Sequence, residues 1–131
     1  MSRAPRRWLI DGMNLIGSRP SGWWNDPDRA MREMTELLEF FAMTTGDDVT
    51  VVFDKKPDRL QEPEQVRVVF AKWKGRNAAD HEIEEIVAAE PDPGGLTVVS
   101  SDKSLVEKVR GLGARTLSSG RFRKRLDDLE P

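Results

Sequence analysis

Cysteine and tyrosine are absent from the 131 residues, and histidine occurs once, as His81. The missing thiols exclude disulfides, thiolate nucleophiles and cysteine-based zinc sites. One imidazole excludes a histidine-cluster metal site and leaves a Ser-His-Asp triad a single candidate residue. Long apolar runs are lacking too: after Arg3, Arg6 and Arg7 the run Trp8-Leu9-Ile10 stops at Asp11, so neither a signal peptide nor a spanning helix is expected. A cytoplasmic protein with no membrane partner is the expectation. No charge of one sign dominates, because 21 Lys and Arg face 23 Asp and Glu for a net charge of −2. Such a balance gives no global attraction to nucleic acid, so any polyanion must be met by local patches. Carboxylates are left to carry most of the chemistry.

What is present suits a soluble globule, with 37% hydrophobic and 34% charged residues. The length is that of one domain, and no stretch divides residues 1–131 into halves that could each bury a core. Apolar and β-branched runs at Trp8-Leu9-Ile10, Val49 to Phe53, Val66 to Phe70, Leu96 to Val99 and Ala114 to Leu117 read as strands. Between them, helical spacing links Ala30, Met31, Met34, Leu37, Leu38 and Phe41 after Asp26-Pro27, and Ile83, Ile86 and Val87 after about Ala79. The same spacing joins Leu105, Val106, Val109 and Leu112, and then Phe122, Leu126 and Leu129. Strands alternating with helices predict a mainly parallel sheet covered on both faces, a three-layer α/β/α sandwich.

In such sheets ligands sit outside the carboxyl ends of the strands, where the strand order reverses. Those positions hold acids: Asp11 after the first strand, Asp54 after the second, Asp80 entering the helix after the third, and Asp102 after the fourth. Grouped carboxylates without thiol or imidazole partners suit hard cations such as Mg²⁺ or Mn²⁺. An ion so held can activate water and neutralise charge on a phosphoryl group. Each acid also has an ordinary structural explanation. Asp11-Gly12 is a common turn pair, Asp54 opens a loop, Asp80 suits the first turn of a helix, and Asp102 suits an N-cap. Asn14, three residues beyond Asp11, can aim its amide at the same crevice, and Ser100 and Ser101 can donate hydroxyl hydrogen bonds there.

The segment Trp8-Leu9-Ile10-Asp11-Gly12-Met13-Asn14-Leu15-Ile16-Gly17 resembles the opening element of the YacP-like NYN domains, a branch of the PIN-like nucleases. Val51-Val52-Phe53-Asp54, Ala79-Asp80 and Val98-Val99-Ser100-Ser101-Asp102 resemble that family's later acidic elements in order, so the likeness covers nearly the whole chain. It departs from the commoner bacterial pattern at the loop with Trp23-Trp24 and in the short stretch between Asp54 and the third strand.

The resemblance implies a PIN-like fold and metal-dependent endoribonuclease chemistry. Asp11, Asp80 and Asp102 are then expected to bind one or two Mg²⁺ or Mn²⁺ ions, Asp54 to bind an ion or orient the attacking water, and Asn14 to position the scissile phosphate. Ser101 joins the expected substrate contacts. Lys55, Lys72, Lys74 and Arg76, in loops on the acidic edge, are candidates to track phosphates, and Trp73 to stack a base. RNA is the expected partner, with the ribosome a candidate place of action for the basic run near the C-terminus. Glu84 and His81 read as surface residues outside the site.

Rival readings lack residues that they need. A receiver domain requires a pair of acids after its first strand, and a haloacid-dehalogenase phosphatase an Asp where Met13 stands. Nucleotide-binding Rossmann and P-loop folds require glycine fingerprints that are missing. The remaining alternative is a non-catalytic RNA-binding module that keeps the fold.

Overall fold

The computed structural model describes residues 5–72, 75 and 77–129. Five strands form one sheet: β1 (Arg7–Asp11), β2 (Asp48–Phe53), β3 (Val66–Phe70), β4 (Leu96–Val99) and β5 (Arg115–Leu117). Their spatial order is β3-β2-β1-β4-β5, and every neighbouring pair is parallel. The helices are α1 (Gly12–Ile16), α2 (Pro27–Thr45), α3 (Ala78–Ala89), α4 (Lys103–Gly111) and α5 (Ser119–Leu129).

Alternation along the strands sorts side chains onto two faces. On one, Trp8, Ile10, Val49, Val51 and Phe53 pack with Leu15 and Ile16 of α1, Met31, Leu38 and Phe41 of α2, and Phe122 and Leu126 of α5. On the other, Leu9, Val52 and Val98 pack with Ala79, Ile83 and Val87 of α3 and Leu105 and Val109 of α4. The strands are apolar on both faces because helices cover both, which is the three-layer α/β/α arrangement expected. Trp8 anchors the first face: its ring meets those of Phe41 and Phe122 at 6.1 and 5.1 Å, and its indole N–H donates to Asp47 at 2.9 Å.

The boundaries follow local chemistry. Asp26 accepts the backbone N–H of Arg29 and Pro27 occupies the first turn, so α2 starts where its missing donor costs nothing. Gly46, at φ 74°, ends it in the left-handed region that glycine favours. No helix fills the β2–β3 connection. Instead the Glu39 carboxylate, on α2, accepts the backbone N–H groups of Glu64, Gln65 and Val66 at 2.8 to 3.1 Å, tying the returning chain to the helix.

One local expectation changes. Asp11-Gly12 is not a turn: Gly12 begins the short helix α1. A Cβ there would lie 2.5 Å from the Phe53 ring and 2.9 Å from the Val52 carbonyl oxygen, so close approach of α1 to β2 is what requires glycine. Trp23 and Trp24 lie in a 3-10 turn, where Trp23 packs against the core and Trp24 stands 60% exposed. Among the described residues, no helix is long and apolar enough to cross a membrane.

Candidate active site

β1 is flanked by β2 on one side and by β4 on the other, while the chain reaches β4 only after passing through β3 at the sheet's edge. The carboxyl ends of β1 and β4 thus border the crevice where connections diverge to opposite sides. Asp11 closes β1, and Ser100, Ser101 and Asp102 follow β4.

Asp11 is 5% exposed and occupies the N-cap position of α1, from which its carboxylate faces the Asn14 backbone N–H. Ser100, itself 1% exposed, donates its hydroxyl to Asp11 Oδ2 at 3.0 Å and accepts the Asp102 N–H at 3.1 Å. Burial raises the Asp11 pKa to about 7; the Ser100 bond and the Asn14 backbone N–H oppose the rise, whereas the charges of Asp80 and Asp54 add to it. Near neutrality this carboxyl lies close to the midpoint of its own titration.

Asp80 lies in the first turn of α3, and burial again raises its pKa, helped by the charges of Asp102, Glu84 and Asp54 and opposed by Lys108. Glu84, which the sequence places at the surface, therefore belongs to the electrostatic surroundings of Asp80, with Lys108 3.3 Å away. Asp102 does cap a helix, accepting the Leu105 N–H on Oδ1 at 3.2 Å. Asp54 is exposed at the end of β2. Among the described residues, no three acidic or histidine side chains form a ready-made metal cage. What the fold gathers is a set of carboxylates whose charges add to the raised pKa of Asp11 and of Asp80.

Asn14 holds the other half of the crevice. Its Oδ1 accepts the Ser101 N–H at 2.9 Å and the Ser119 hydroxyl at 2.6 Å, and the Ser119 N–H donates to the Ser101 hydroxyl oxygen at 3.0 Å. The amide thereby joins α1 to the ends of β4 and β5. Ser119, fully buried, is the residue that sequence reasoning missed. The signal was its place two residues after the last strand, where a search for acids passes over a serine.

Lys55 and Lys72 are exposed and line a shallow depression with Asp54, Phe70 and Ala78; Lys72 stands 3.9 Å from Glu85. Trp73, Lys74 and Arg76 lie outside the described residues. His81 is exposed on α3.

The family model of the YacP-like NYN domain matches residues 8–131. The chain belongs to that family. Its members are PIN-like nucleases, and the acids expected from the first element onward all fall within the matched span. The chain is also similar to the crystal structure of Rae1 (YacP) from Bacillus subtilis, at 24% identity and a TM-score of 0.77, over 94% of this chain and 74% of that one. The W164L mutant of the same Bacillus subtilis protein matches at 25% identity and a TM-score of 0.75, over 93% and 74%. No curated protein matches the chain. An all-parallel PIN-like α/β fold is therefore common to this NYN domain and its structural neighbours.

Proposed function

We propose that this NYN domain is a metal-dependent endoribonuclease of the cytoplasm. The observation that carries the reading is the buried Asp11 carboxyl at the β1–β4 crevice, raised to about pKa 7 by burial and by neighbouring acids. A protein gains nothing in stability from such repulsion, and sites of reaction are where strongly perturbed groups collect.

The donor set fits a hard divalent cation, Mg²⁺ or Mn²⁺, because it offers carboxylate oxygens and an excess of negative charge. Asp11, Asp80 and Asp102 are the residues that would hold it, with Asp102 Oδ2 left over from the cap bond. A cation there supplies positive charge against the phosphoryl oxygens and makes water a better nucleophile. Asp54, exposed at the mouth, orients the attacking water or takes its proton. Asn14, with Oδ1 taken by two donors, has its Nδ2 to offer a phosphate oxygen, and the Ser101–Ser119 pair fixes the amide for that task. Lys55 and Lys72 track the RNA backbone along the same edge, and Lys74 and Arg76 are further candidates for phosphate contacts.

The test incubates the protein with labelled single-stranded and structured RNAs and Mn²⁺, beside an Asp11→Asn variant and an EDTA control. Cleavage that leaves 5′-phosphate and 3′-hydroxyl ends and vanishes in both controls is the expected result. RNA bound but uncut in the presence of Mn²⁺ would move the reading to a non-catalytic RNA-binding module.

A further inference from the structure

A second concavity, of about 450 Å³, opens beside the Asp11–Ser100 contact at the carboxyl ends of β4 and β5. Its walls carry Lys103, Arg110 and Arg121 together with Ser101, Thr116 and Ser118, and no acid lines it. Among the described residues none of the three cations has a carboxylate partner, in a chain whose acids outnumber its bases. Lys103 and Arg110 share one face of α4, seven residues apart, and Arg121 comes from the first turn of α5.

Local stability does not account for this placement. Lys103 and Arg121 both sit at helix N-termini, where the helix dipole favours acids and disfavours cations. Mutual repulsion in the shared concavity adds to that disadvantage. A bound anion reverses both effects. Arg110 is already oriented, since its Nε donates to Thr116 Oγ1 at 2.9 Å and leaves its terminal N–H groups for a bidentate contact.

We infer that this concavity is a phosphate subsite, which holds an internal backbone phosphate of the RNA a short distance from the scissile bond. The inference rests on the nuclease reading for its substrate. The concavity shares Ser100 and Ser101 with the acidic crevice, so the two adjoin and a strand with one phosphate at the acids has a nearby one to offer the three cations.

The test measures binding of a single-stranded oligoribonucleotide in EDTA over a range of salt, for the wild-type protein and the variant Lys103→Gln/Arg110→Gln/Arg121→Gln. All three side chains are exposed and the charges of Lys103 and Arg121 oppose the helix dipoles, so an unfolding midpoint at or slightly above that of the wild type is expected. The expected result is affinity lower by about 10-fold or more, with the salt slope reduced by roughly 0.7, the contribution of one phosphate on a single strand. Neutral methylphosphonate links, placed one at a time, should weaken wild-type binding at one internal position and leave the variant indifferent there. Equal affinity and slope in the two proteins overturns the inference. Sensitivity to a 5′-terminal phosphate alone also overturns it, since the pocket then holds a chain end. Cleavage with Mn²⁺ is scored separately. An uncut RNA whose binding still depends on the three cations counts against the nuclease reading only, and a cut RNA with unaltered binding counts against the subsite only.

Discussion

Ser119 donates its hydroxyl to Asn14 Oδ1 at 2.6 Å, linking residues 105 positions apart. Both ends lie at the carboxyl edge of the sheet, and Ser119 is fully buried. Removing the hydroxyl leaves the Asn14 oxygen with one of its two donors, the Ser101 N–H. Ser119→Ala is therefore expected to cost about 1 kcal/mol. A double-mutant cycle with Asn14→Ala, read by urea unfolding, should show coupling of about 1 kcal/mol. RNA cleavage by Ser119→Ala should fall further than stability explains, because the amide loses its orientation. Additive effects on unfolding would show that the contact does not hold the amide.

The raised Asp11 pKa makes a prediction about pH. In the unfolded chain this carboxyl loses its proton near 3.8, and in the fold near 7. Between those values the native state binds the extra proton, so stability falls as pH rises from about 4 to 7 and then levels off. Asp80 is shifted in the same direction by burial and acts with the same sign. Asp11→Asn, which cannot ionise, should be more stable than the wild type at pH 8 by roughly 2–4 kcal/mol and nearly equal to it at pH 4. Urea unfolding at the two pH values measures this. A variant that is destabilised equally at both would show that the acid is not strained by ionisation.

The wide elements of this fold were legible because their patterns are long. The 3.6-residue spacing through α2 and the β-branched runs of β2, β3 and β4 each meet a buried layer, so composition and burial agree. Helix α1 was not, since five residues are too few to show a period, and Asp-Gly reads as a turn wherever a core partner is unseen. Phe53, which requires Gly12, is 41 residues away and only the folded sheet brings it near. The acids that follow the strands were readable from the pattern, but their hydrogen-bond partners were not: Asp102 accepts the Leu105 N–H at the start of α4, whereas Asp11 is held by the Ser100 hydroxyl. The basic run of α5 divides by helix geometry. Arg125 lies 5.5 Å from the Trp8 ring centroid, Arg123 reaches the Met34 sulfur, and Arg121 faces the concavity.

Gly12→Ala should be costly although the backbone there is ordinary. The added methyl meets the Phe53 ring, wholly buried, and the Val52 carbonyl oxygen of the same strand, so neither neighbour can swing into solvent. Destabilisation of about 2–3 kcal/mol is expected from overpacking of this kind. Because α1 carries Asn14 and follows directly on Asp11, its displacement should also lower RNA cleavage under conditions where the variant remains folded. Thermal unfolding together with an activity assay separates the two effects. A neutral substitution would mean that α1 can lift from β2 freely.

If Asp11 and Asp80 hold a divalent ion, binding should relieve the repulsion that burial and neighbouring charges impose on them. Mn²⁺ or Mg²⁺ at about 100 times its dissociation constant is expected to stabilise the fold by about 2.7 kcal/mol at pH 8. The effect should shrink as pH falls below 7, because protons then compete for the Asp11 carboxyl. EDTA should reverse it, and Asp11→Asn should abolish it while leaving the protein folded. Thermal scans with and without metal at pH 6 and pH 8 measure all of these. An equal rise in Tm at both pH values, or one that persists in Asp11→Asn, would place the ion away from this crevice and leave the raised acidity of Asp11 without a metal to relieve it.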